Sequence, residues 1–328
     1  MTSKLNWGIL GTGTIAQMQT TDLLENGFSV SSVGSRDLQK AQDFAAANGI
    51  GLVFGSYQDL VASSAVDVIY VATPHPFHFE HASLALEAGK HVLLEKPFAM
   101  NAREAARLVE LAQEKNLVLL EAMWTRFLPH MVQLRADIAA GLIGEVRAVS
   151  ADFSALFPSD PNGRHRNKAL GGGALLDIGI YPVSFAIDLL GFPDKVVASG
   201  ALTDSGVDNN VSMIFDYNDG RQALLHCAMD QVGTIGASIQ GTLGRIDIDT
   251  PFFTQVGYKR FNAEFELVDT FAIQPVSRGM QFQAAELELL VAKGELSSKT
   301  LPLSETVAIM ELIDHIRSQI GLVYPSDF

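Results

Sequence analysis

The first 122 residues alternate between short apolar runs and segments with helical spacing, and this alternation restricts the fold more than any other feature of the chain. Val66–Ala72 and Val92–Leu94 are nearly continuous apolar runs, the pattern of strands that are covered on both faces. A segment with helical spacing, Phe77–Ala88, separates them. Strands that alternate with helices form a parallel, doubly wound sheet. The sequence therefore predicts an α/β domain in its first half.

The other elements of this half continue the pattern. The run at Val92–Leu94 belongs to a strand predicted at His91–Leu94. Further strands are predicted at Leu5–Leu10, Phe28–Gly34 and Leu117–Ala122, and further helices at 15–25, Leu38–Ala47 and Ala102–Lys115. The pattern ends near Met123, where we place the domain boundary. Residues 1–123 are expected to form the parallel-sheet domain, and residues 124–328 a second domain.

The second half has long strand-like runs that are separated by turn signals. Strands are predicted at Glu145–Phe153, Val211–Tyr217, Gln222–Ala228, Ser238–Gln240 and Arg245–Ile248, and helices at Met131–Ala140, Met280–Lys293 and Ser304–Ser318. "YNDGR" from Tyr217 and "GTLGR" from Gly241 are typical of hairpin turns. The second domain is therefore predicted to be α+β, with an antiparallel sheet.

Composition limits the class of protein. The chain has 328 residues, a formal net charge of -14 and a single cysteine, Cys227. The acidic charge opposes nonspecific binding to nucleic acid or to anionic lipid. A lone cysteine excludes an intrachain disulfide and fits a reducing compartment. We find no apolar run that is long enough to span a bilayer, and no signal peptide, so a soluble cytoplasmic protein is expected.

The stretch "WGILGTGTIA" places Gly11 and Gly13 between the first strand and the first helix. Gly11 permits a tight turn, and Gly13 lets a pyrophosphate approach the N-terminus of the helix that Thr14 and Ile15 open. In this strand–turn–helix context the pattern predicts a dinucleotide-binding Rossmann domain. The alternative is an ordinary turn that uses glycine for its dihedral angles.

The second strand ends in Ser35 and Arg36, where NAD-binding domains usually have an acidic residue for the ribose hydroxyl. A hydroxyl and a guanidinium suit a 2′-phosphate, so NADP is favoured over NAD. Asp37 is interpreted as the N-cap of the next helix; the alternative is an NAD-binding acid displaced by one residue.

The apolar run at Val92–Leu94 ends abruptly in Glu95, Lys96 and Pro97. Ligands of doubly wound sheets bind at the carboxyl ends of the strands, so Lys96 is expected to face the nicotinamide. It would bind a substrate oxygen or lower the pKa of a neighbouring acid, with Glu95 offsetting its charge. The alternative is a structural Lys–Glu pair at the strand end.

Residues 170–181, "LGGGALLDIGIY", predict a second part of the site. The three glycines would let the backbone approach a ligand closely, and a helix is expected to begin there. Asp177 and Tyr181 are four residues apart and share a helix face. They form a plausible pair facing the substrate; the alternative for Asp177 is a helix cap.

Several further residues are candidates with a structural alternative. Thr73, His75 and His78 follow a strand end near the expected nicotinamide, although a histidine pair at a helix start is often structural. We expect no metal there, because no cysteine or placed carboxylate accompanies the histidines. Trp124 and Arg126 would line the cofactor cleft or pack at the domain junction. Phe153 and Arg164 are candidate substrate contacts.

Taken together, "GILGTGTIA", "IYVATPHPFH", "EKPF" and "GGGALLDIGIY" make the chain resemble the glucose–fructose oxidoreductase / inositol dehydrogenase family over nearly its whole length. The resemblance implies a Rossmann domain followed by a domain with an open sheet that is often used for oligomer contacts. It also implies NAD(P)-dependent oxidation of a sugar or cyclitol carbinol, with Lys96 and Asp177 at the family's lysine and aspartate positions.

Most members have histidine where this chain has Tyr181, and "EAMWTRFLP" makes the chain similar to the dimeric dihydrodiol dehydrogenases and NADP-dependent D-xylose dehydrogenases. This resemblance implies that Tyr181 handles the proton with Lys96, that NADP is the cofactor, and that the protein is a homodimer. A non-catalytic NADP-binding regulator of the same fold is an alternative. Within enzymes, keto-sugar reduction and glycoside hydrolysis through transient oxidation are further alternatives.

Overall fold

The computed structural model describes residues 5–328 as two compact units. The first contains the chain up to Trp124 together with Ser277–Met310, and the second contains Thr125–Val276 and Glu311–Phe328. The break after Trp124 lies one residue from the boundary placed at Met123. The segment 277–310, which the sequence analysis assigned to the second domain, belongs to the first unit.

The first unit is built on a six-stranded parallel sheet with the order β3-β2-β1-β4-β5-β6. Its strands are β1 (Asn6–Leu10), β2 (Ser29–Gly34), β3 (Leu52–Phe54), β4 (Val68–Val71), β5 (His91–Glu95) and β6 (Leu119–Ala122). Its first helices are α1 (Thr14–Glu25), α2 (Leu38–Asn48), α3 (Tyr57–Ala62), α4 (His78–Glu87) and α5 (Ala102–Lys115). The predicted doubly wound sheet is confirmed.

The central strands of this sheet explain the apolar runs. Every residue of β4 is buried, as are Val92–Glu95 of β5, because helices cover both faces of a doubly wound sheet. The strand order reverses between β1 and β4, and ligands bind at such a switch point, outside the carboxyl ends of the strands. Neither β3 nor α3 was predicted from the sequence. With three residues in β3 and six in α3, both elements are too short to show a hydrophobic period.

The second unit carries an eight-stranded sheet with the order β14-β13-β12-β11-β7-β10-β9-β8. Its strands are β7 (Val146–Ser154), β8 (Lys195–Leu202), β9 (Asp208–Asp216), β10 (Gln222–Ala228), β11 (Ala237–Gly241), β12 (Gly244–Ile248), β13 (Tyr258–Asn262) and β14 (Leu267–Phe271). Only β7 and β10 pair in parallel; the other neighbours are antiparallel. The predicted α+β class is therefore confirmed.

Three strands of this sheet had no clear signal in the sequence. β8, β13 and β14 are the strands at or next to the edges, and most of the residues of β14 are exposed. An exposed edge strand does not need the apolar alternation that marks a half-buried strand. The hairpin predicted at Tyr217 is present: its N–H donates to the Arg221 carbonyl at 3.1 Å.

The second unit also contains the helices α6 (Pro129–Ala139) and α7 (Ile180–Leu190). The Tyr258 hydroxyl on β13 donates to Asp137 on α6, and α7 packs against β7 and β10. A π-helix over Leu175–Gly179 runs directly into α7. Pro182, which lacks an N–H, falls in the first turn of α7, where the hydrogen-bond register changes from π to α. Every residue from Ala174 to Ile187 is buried.

This buried segment corrects one expectation. Lys168–Leu190 is long and apolar enough, with a mean hydropathy of 1.5, to pass for a membrane span. The statement that no run reaches that length was therefore wrong. In the structure 89% of its most apolar 18-residue window is buried inside the protein, as in the core helix of a soluble protein.

The last two helices are α8 (Gln281–Lys293) and α9 (Leu303–Ile320). The Asp22 carboxylate on α1 accepts hydrogen bonds from the N–H groups of Arg278, Gly279 and Met280 at 3.2, 3.0 and 2.9 Å. This bond set fixes the start of α8 against α1. It explains why a segment far along the chain belongs to the first unit.

Candidate functional site

The glycine loop has the geometry that the sequence analysis expected of it. Gly11 has a φ of +111°, and a Cβ built on it would lie 3.0 Å from the Ala72 carbonyl oxygen. Its N–H donates to the Gly34 carbonyl at 3.0 Å. Only glycine combines this dihedral angle with so close an approach.

Gly13 is used differently, because it faces open space. Among residues 5–328, no atom lies within 4 Å of a Cβ built on Gly13. It is the N-cap of α1, and Thr14 and Ile15 are the first two helical residues. The N-terminal N–H groups of a helix attract anions. The open space in front of them fits the pyrophosphate of a dinucleotide.

Three side chains follow β2, Ser35, Arg36 and Asp37, and each makes different contacts. Asp37 accepts hydrogen bonds from the N–H groups of Gln39 and Lys40 at 3.0 and 3.3 Å, so its predicted role as an N-cap is confirmed. The Ser35 hydroxyl is buried and accepts from the Asp37 N–H at 3.2 Å. Arg36 is exposed, and this guanidinium is the group that remains accessible for a phosphate.

Arg36 is also held in place by aromatic rings. Its guanidinium carbon lies 5.7 Å from the centroid of the Phe77 ring. Burial raises the pKa of Tyr57, and the positive charge of Arg36 opposes this rise. A guanidinium that lies over an aromatic ring is partly oriented before it binds an anion.

His78, behind the end of β4, is a structural residue by its contacts. It is fully buried, and its ring nitrogens lie 2.8 Å from the carbonyl oxygens of Thr73 and Pro97. Burial lowers its pKa to about 4, so at neutral pH it is uncharged and donates from one nitrogen only. For His78 the structure favours the structural alternative; His75 is buried beside it, at 5.6 Å between ring centroids.

The end of β5 answers why a lysine follows an apolar run. The Glu95 carboxylate is buried, and it accepts hydrogen bonds from the Tyr70 hydroxyl and, at 3.2 Å, from the Lys96 N–H. Lys96 is half-buried, and the Lys96–Pro97 bond is cis. The Glu95 carboxylate is therefore held by hydrogen bonds next to the backbone of Lys96. Tyr70 was missed because it lies inside an apolar run.

In the second unit, Asp177 lies in the π-helix and forms an ion pair. Arg164 Nη2 is 3.1 Å from Asp177 Oδ2, and His165 Nε2 is 3.9 Å from the same oxygen. Half of the Arg164 side chain is exposed (51%), whereas Asp177 is nearly covered (6%). Two of the predicted substrate contacts, Arg164 and Asp177, are thus in direct contact.

Tyr181 lies one turn further along, in a cluster of aromatic rings. Its ring centroid is 5.6 Å from that of Phe153 and 5.0 Å from that of Phe253, and the two phenylalanines stack at 4.4 Å. Phe153 and Tyr181, both predicted site residues, are therefore brought together. Phe253 was missed because it follows a turn at a cis Thr250–Pro251 bond and carries no pattern of its own.

Two of the three glycines before Asp177, Gly172 and Gly173, pack against other parts of the protein and not against open space for a ligand. A Cβ on Gly172 would lie 2.8 Å from the Arg164 carbonyl oxygen. A Cβ on Gly173, whose φ is +125°, would lie 2.1 Å from Asp208 Oδ1. For these two glycines the expectation of a ligand contact was wrong: glycine is required because other parts of the protein pack against this backbone.

Arg126 is also held by the protein. It is buried and donates to the Ser184 carbonyl at 3.0 Å, and it lies 3.3 Å from Asp188 Oδ1. Both partners belong to α7, so these contacts anchor the helix that carries Tyr181. Trp124 is a buried residue of the first unit. Within residues 5–328 no cluster of three or more potential metal ligands occurs.

Comparison with known proteins identifies the family to which the chain belongs. Residues 5–123 match the oxidoreductase family with an NAD-binding Rossmann fold, and residues 131–247 match the GFO/IDH/MocA C-terminal domain. The chain belongs to the GFO/IDH/MocA family. It is an NAD(P)-dependent oxidoreductase, which confirms the family and the enzyme class that were predicted from the motifs.

Relatives of known activity match the GFO/IDH/MocA protein along its whole length. It is 34% identical to a trans-1,2-dihydrobenzene-1,2-diol dehydrogenase of Homo sapiens, covering 98% of this chain and 99% of that protein. The protein of that name from Xenopus tropicalis is 33% identical, over 97% and 99%. A 3-ketoreductase from Actinomadura kijaniata, solved with TDP-benzene and NADP, superposes with a TM-score of 0.87 at 26% identity, over 97% and 98% of the two chains.

We predict that Gly173→Ala destabilises the protein by about 2 kcal/mol or more, because the new Cβ meets Asp208 and the dihedral angle is unfavourable for alanine. Gly141→Ala is the matched control, since Gly141 also has a positive φ but faces open space within the described chain. Urea denaturation of both variants measures the difference. Equal losses would show that the dihedral angle alone, and not the contact, requires glycine.

Proposed function

We propose that this GFO/IDH/MocA oxidoreductase oxidises a secondary alcohol of a sugar or vicinal diol, with Tyr181 accepting the hydroxyl proton and Lys96 assisting. The observation that carries the proposal is the placement of Tyr181. Its phenol stands among aromatic rings, one turn after the Asp177–Arg164 ion pair. The names of the relatives, a diol dehydrogenase and a 3-ketoreductase, support the substrate class.

The residues that would hold the cofactor lie at the carboxyl ends of the parallel strands. Gly11, Gly13 and the first turn of α1 fit the pyrophosphate, and Ser35 with Arg36 suits a 2′-phosphate. Thr73, His75, Glu95, Lys96 and Trp124 complete the set proposed for the nicotinamide side. Bound NADP supplies the acceptor for the hydride that leaves the carbinol carbon.

The protein's own task is to remove the hydroxyl proton. A tyrosine titrates near ~10 in water and needs help to act as a base at neutral pH. A cation favours the phenolate, and this is the role proposed for Lys96, which also binds the substrate oxygen. In the reverse direction the protonated phenol returns the proton to the carbonyl oxygen.

The surroundings of Tyr181 favour a substrate with a polar edge and an apolar face. Asp177 accepts hydrogen bonds and would orient the substrate hydroxyls, with Arg164 setting its charge. Phe153 and Phe253 present ring surface to the carbon skeleton. Vicinal diols on a ring combine these two requirements, and pentose sugars do so to a lesser degree.

We predict that Tyr181→Phe lowers kcat by about 10²- to 10⁴-fold, the usual contribution of general acid–base catalysis. Phenylalanine keeps the ring contacts and removes only the hydroxyl, so NADP affinity should stay within about twofold. Initial rates at 340 nm with D-xylose, D-glucose, myo-inositol and a trans-1,2-diol measure the loss.

Tyr217→Phe is the matched control for this experiment. Tyr217 donates to the Gly191 carbonyl at 2.8 Å, at the other end of α7, so its variant should retain wild-type kcat. A Tyr181→Phe enzyme with unchanged kcat would refute the proposed base. Tight NADP binding without turnover of any substrate in the panel would refute the substrate class.

We predict that Arg36→Ala weakens NADP binding by about 10- to 100-fold, as expected when a charged hydrogen bond to phosphate is lost, and leaves NAD binding nearly unchanged. Asp37→Ala is the control: it should lower stability by about 1 kcal/mol through loss of the helix cap without changing the NADP/NAD ratio. Fluorescence titration with both cofactors measures this ratio. An unchanged ratio in Arg36→Ala would remove Arg36 from the phosphate site.

A homodimer formed through the eight-stranded sheet is the oligomeric state that the exposed face supports. Leu224, Ile214 and Val197 are cross-strand neighbours on that face, and they are 50%, 40% and 44% exposed. A contiguous apolar row of this kind is typical of a contact surface. The buried free thiol of Cys227 is consistent with the proposed location in the reducing cytoplasm.

We predict that the wild-type protein elutes as a dimer at micromolar concentration and that Ile214→Lys converts it into a monomer, because a lysine in the apolar row would be desolvated on association. Val132→Lys is the control, since Val132 is 54% exposed on α6. Size-exclusion chromatography with light scattering measures both variants. A monomeric wild-type protein would contradict the proposed interface.

A further inference from the structure

Asp208 contacts the first turn of the segment that carries Asp177 and Tyr181, but the proposed reaction gives it no role. Its side chain is fully buried, and Oδ2 accepts a hydrogen bond from the Leu175 N–H at 2.6 Å. Its other oxygen, Oδ1, is buried and has no hydrogen-bond partner among residues 5–328. A negative charge is stabilising at the N-terminus of a helix, where backbone N–H donors converge.

Tyr324, near the C-terminus, contacts the same turn. Its hydroxyl donates to the Gly172 carbonyl at 2.6 Å, and its ring lies 5.1 Å from the Arg317 guanidinium carbon. Arg317 pairs with Asp327 at 2.6 Å, and Asp327 accepts from the Tyr324 N–H at 2.7 Å. Tyr324 is therefore fixed at both its hydroxyl and its backbone.

These two side chains leave the turn little freedom. A Cβ built on Gly173 would lie 2.1 Å from Asp208 Oδ1 and 2.9 Å from the Tyr324 hydroxyl. The carboxylate and the phenol therefore both occupy the space that a side chain at position 173 would need. Asp177 lies four residues after Gly173, in the π-helix.

We propose that Asp208, braced by Tyr324, is a positioning residue that holds the first turn of the π-helix and thereby fixes Asp177 and Tyr181 for the reaction. The proposal rests on the function proposed for Tyr181. Asp208 itself touches neither substrate nor cofactor, so its effect is exerted through the backbone of residues 172–175.

The charge of Asp208 distinguishes this role from simple stabilisation. Burial raises its pKa to about 6, against the opposing effects of the backbone donors and of Arg317. Because the folded-state pKa lies above the ordinary value of 3.8, protonation favours the folded protein, and this contribution to stability is lost as pH rises from about 4 to about 6.

Other ionisable groups face this carboxylate. They are Arg317 on α9, Tyr324 in the last segment and Cys227 on β10, with Asp177 and Asp327 acting on Tyr324. Burial raises the pKa of both Tyr324 and Cys227 well above the ordinary values, so both are neutral between pH 5 and 8. The positive charge of Arg317 opposes the rise in the pKa of Asp208, which is nevertheless raised to about 6.

The test compares Asp208→Asn with Asp22→Asn in the full-length enzyme. Asp22 is the matched control because it is also a buried carboxylate that accepts backbone N–H bonds at a helix start, and burial raises its pKa as well. It belongs to the first unit and caps α8. For each variant we would measure Tm from pH 5 to 8, amide hydrogen exchange, and kcat with trans-cyclohexane-1,2-diol and NADP+.

We expect Asp208→Asn to have a Tm equal to or above that of the wild type at pH 7.5, together with a kcat lowered about tenfold by misplacement of the reacting groups. Exchange at Ala174 and Leu175 should rise in this variant. In the wild type it should rise only as pH falls through about 6. Asp22→Asn should show the same Tm trend with wild-type kcat.

The outcomes separate the possible failures. Unchanged exchange at residues 172–175 or unchanged kcat in Asp208→Asn overturns the positioning role, as does an equal loss of kcat in Asp22→Asn. Exchange does not depend on catalysis, so an active Tyr181→Phe enzyme would refute the proposed function without deciding this point. If Asp208→Asn does not fold, Tyr324→Phe removes only the hydroxyl; it should raise exchange at Gly172–Leu175 and lower kcat about threefold, and wild-type values would overturn the proposal.

Discussion

The structure depends on the requirement that polar groups at the ends of buried strands and helices find partners. At the end of β5, the buried carboxylate of Glu95 is paired with the Tyr70 hydroxyl and with the Lys96 N–H. In the second unit, Asp208 performs the corresponding task for the π-helix by accepting the Leu175 N–H. Lys96 and Asp177, two side chains proposed for the site, follow shortly after these paired groups in the sequence.

This requirement explains the sequence "LLEKP" at the end of β5. Leu93 and Leu94 pair with Tyr70 and Val71 of β4 and with Leu120 and Glu121 of β6 inside the sheet. A carboxylate at such a buried position needs a partner of its own, as Glu121 has in the Thr306 hydroxyl. Glu95 is tolerated at the strand end because neighbouring donors hold its charge, and Lys96 follows at the edge where ligands of doubly wound sheets bind.

The fold could be predicted from the sequence wherever a local pattern reflected burial. The alternation of apolar runs with helices identified the parallel sheet, and Asp37 was recognised as a helix cap because its partners are its next neighbours. The segment 277–310 was misassigned because its position depends on Asp22, more than 250 residues away. No local pattern carries that information.

The same distinction applies to the candidate site. The pairing of Asp177 and Tyr181 on one helix face stays a prediction from their spacing; in the structure Asp177 lies in the π-helix and Tyr181 in α7, which follows it directly. Gly173, which precedes both, was misinterpreted because the atoms that exclude a Cβ there belong to Asp208 and Tyr324, which are distant in sequence. His78 shows the converse case: a histidine beside a strand end suggests chemistry, but its two carbonyl neighbours hold it in the structure.

The tyrosine at position 181 has consequences that a histidine there would not have. An imidazole titrates near ~6.5, whereas a phenol titrates near ~10, so a tyrosine base needs a stronger bias towards its charged form. The rings of Phe153 and Phe253, which contact Tyr181, carry no charge that could supply this bias. A nearby cation therefore becomes a requirement of the chemistry. The role proposed for Lys96 follows from this requirement more directly than from its position in a motif.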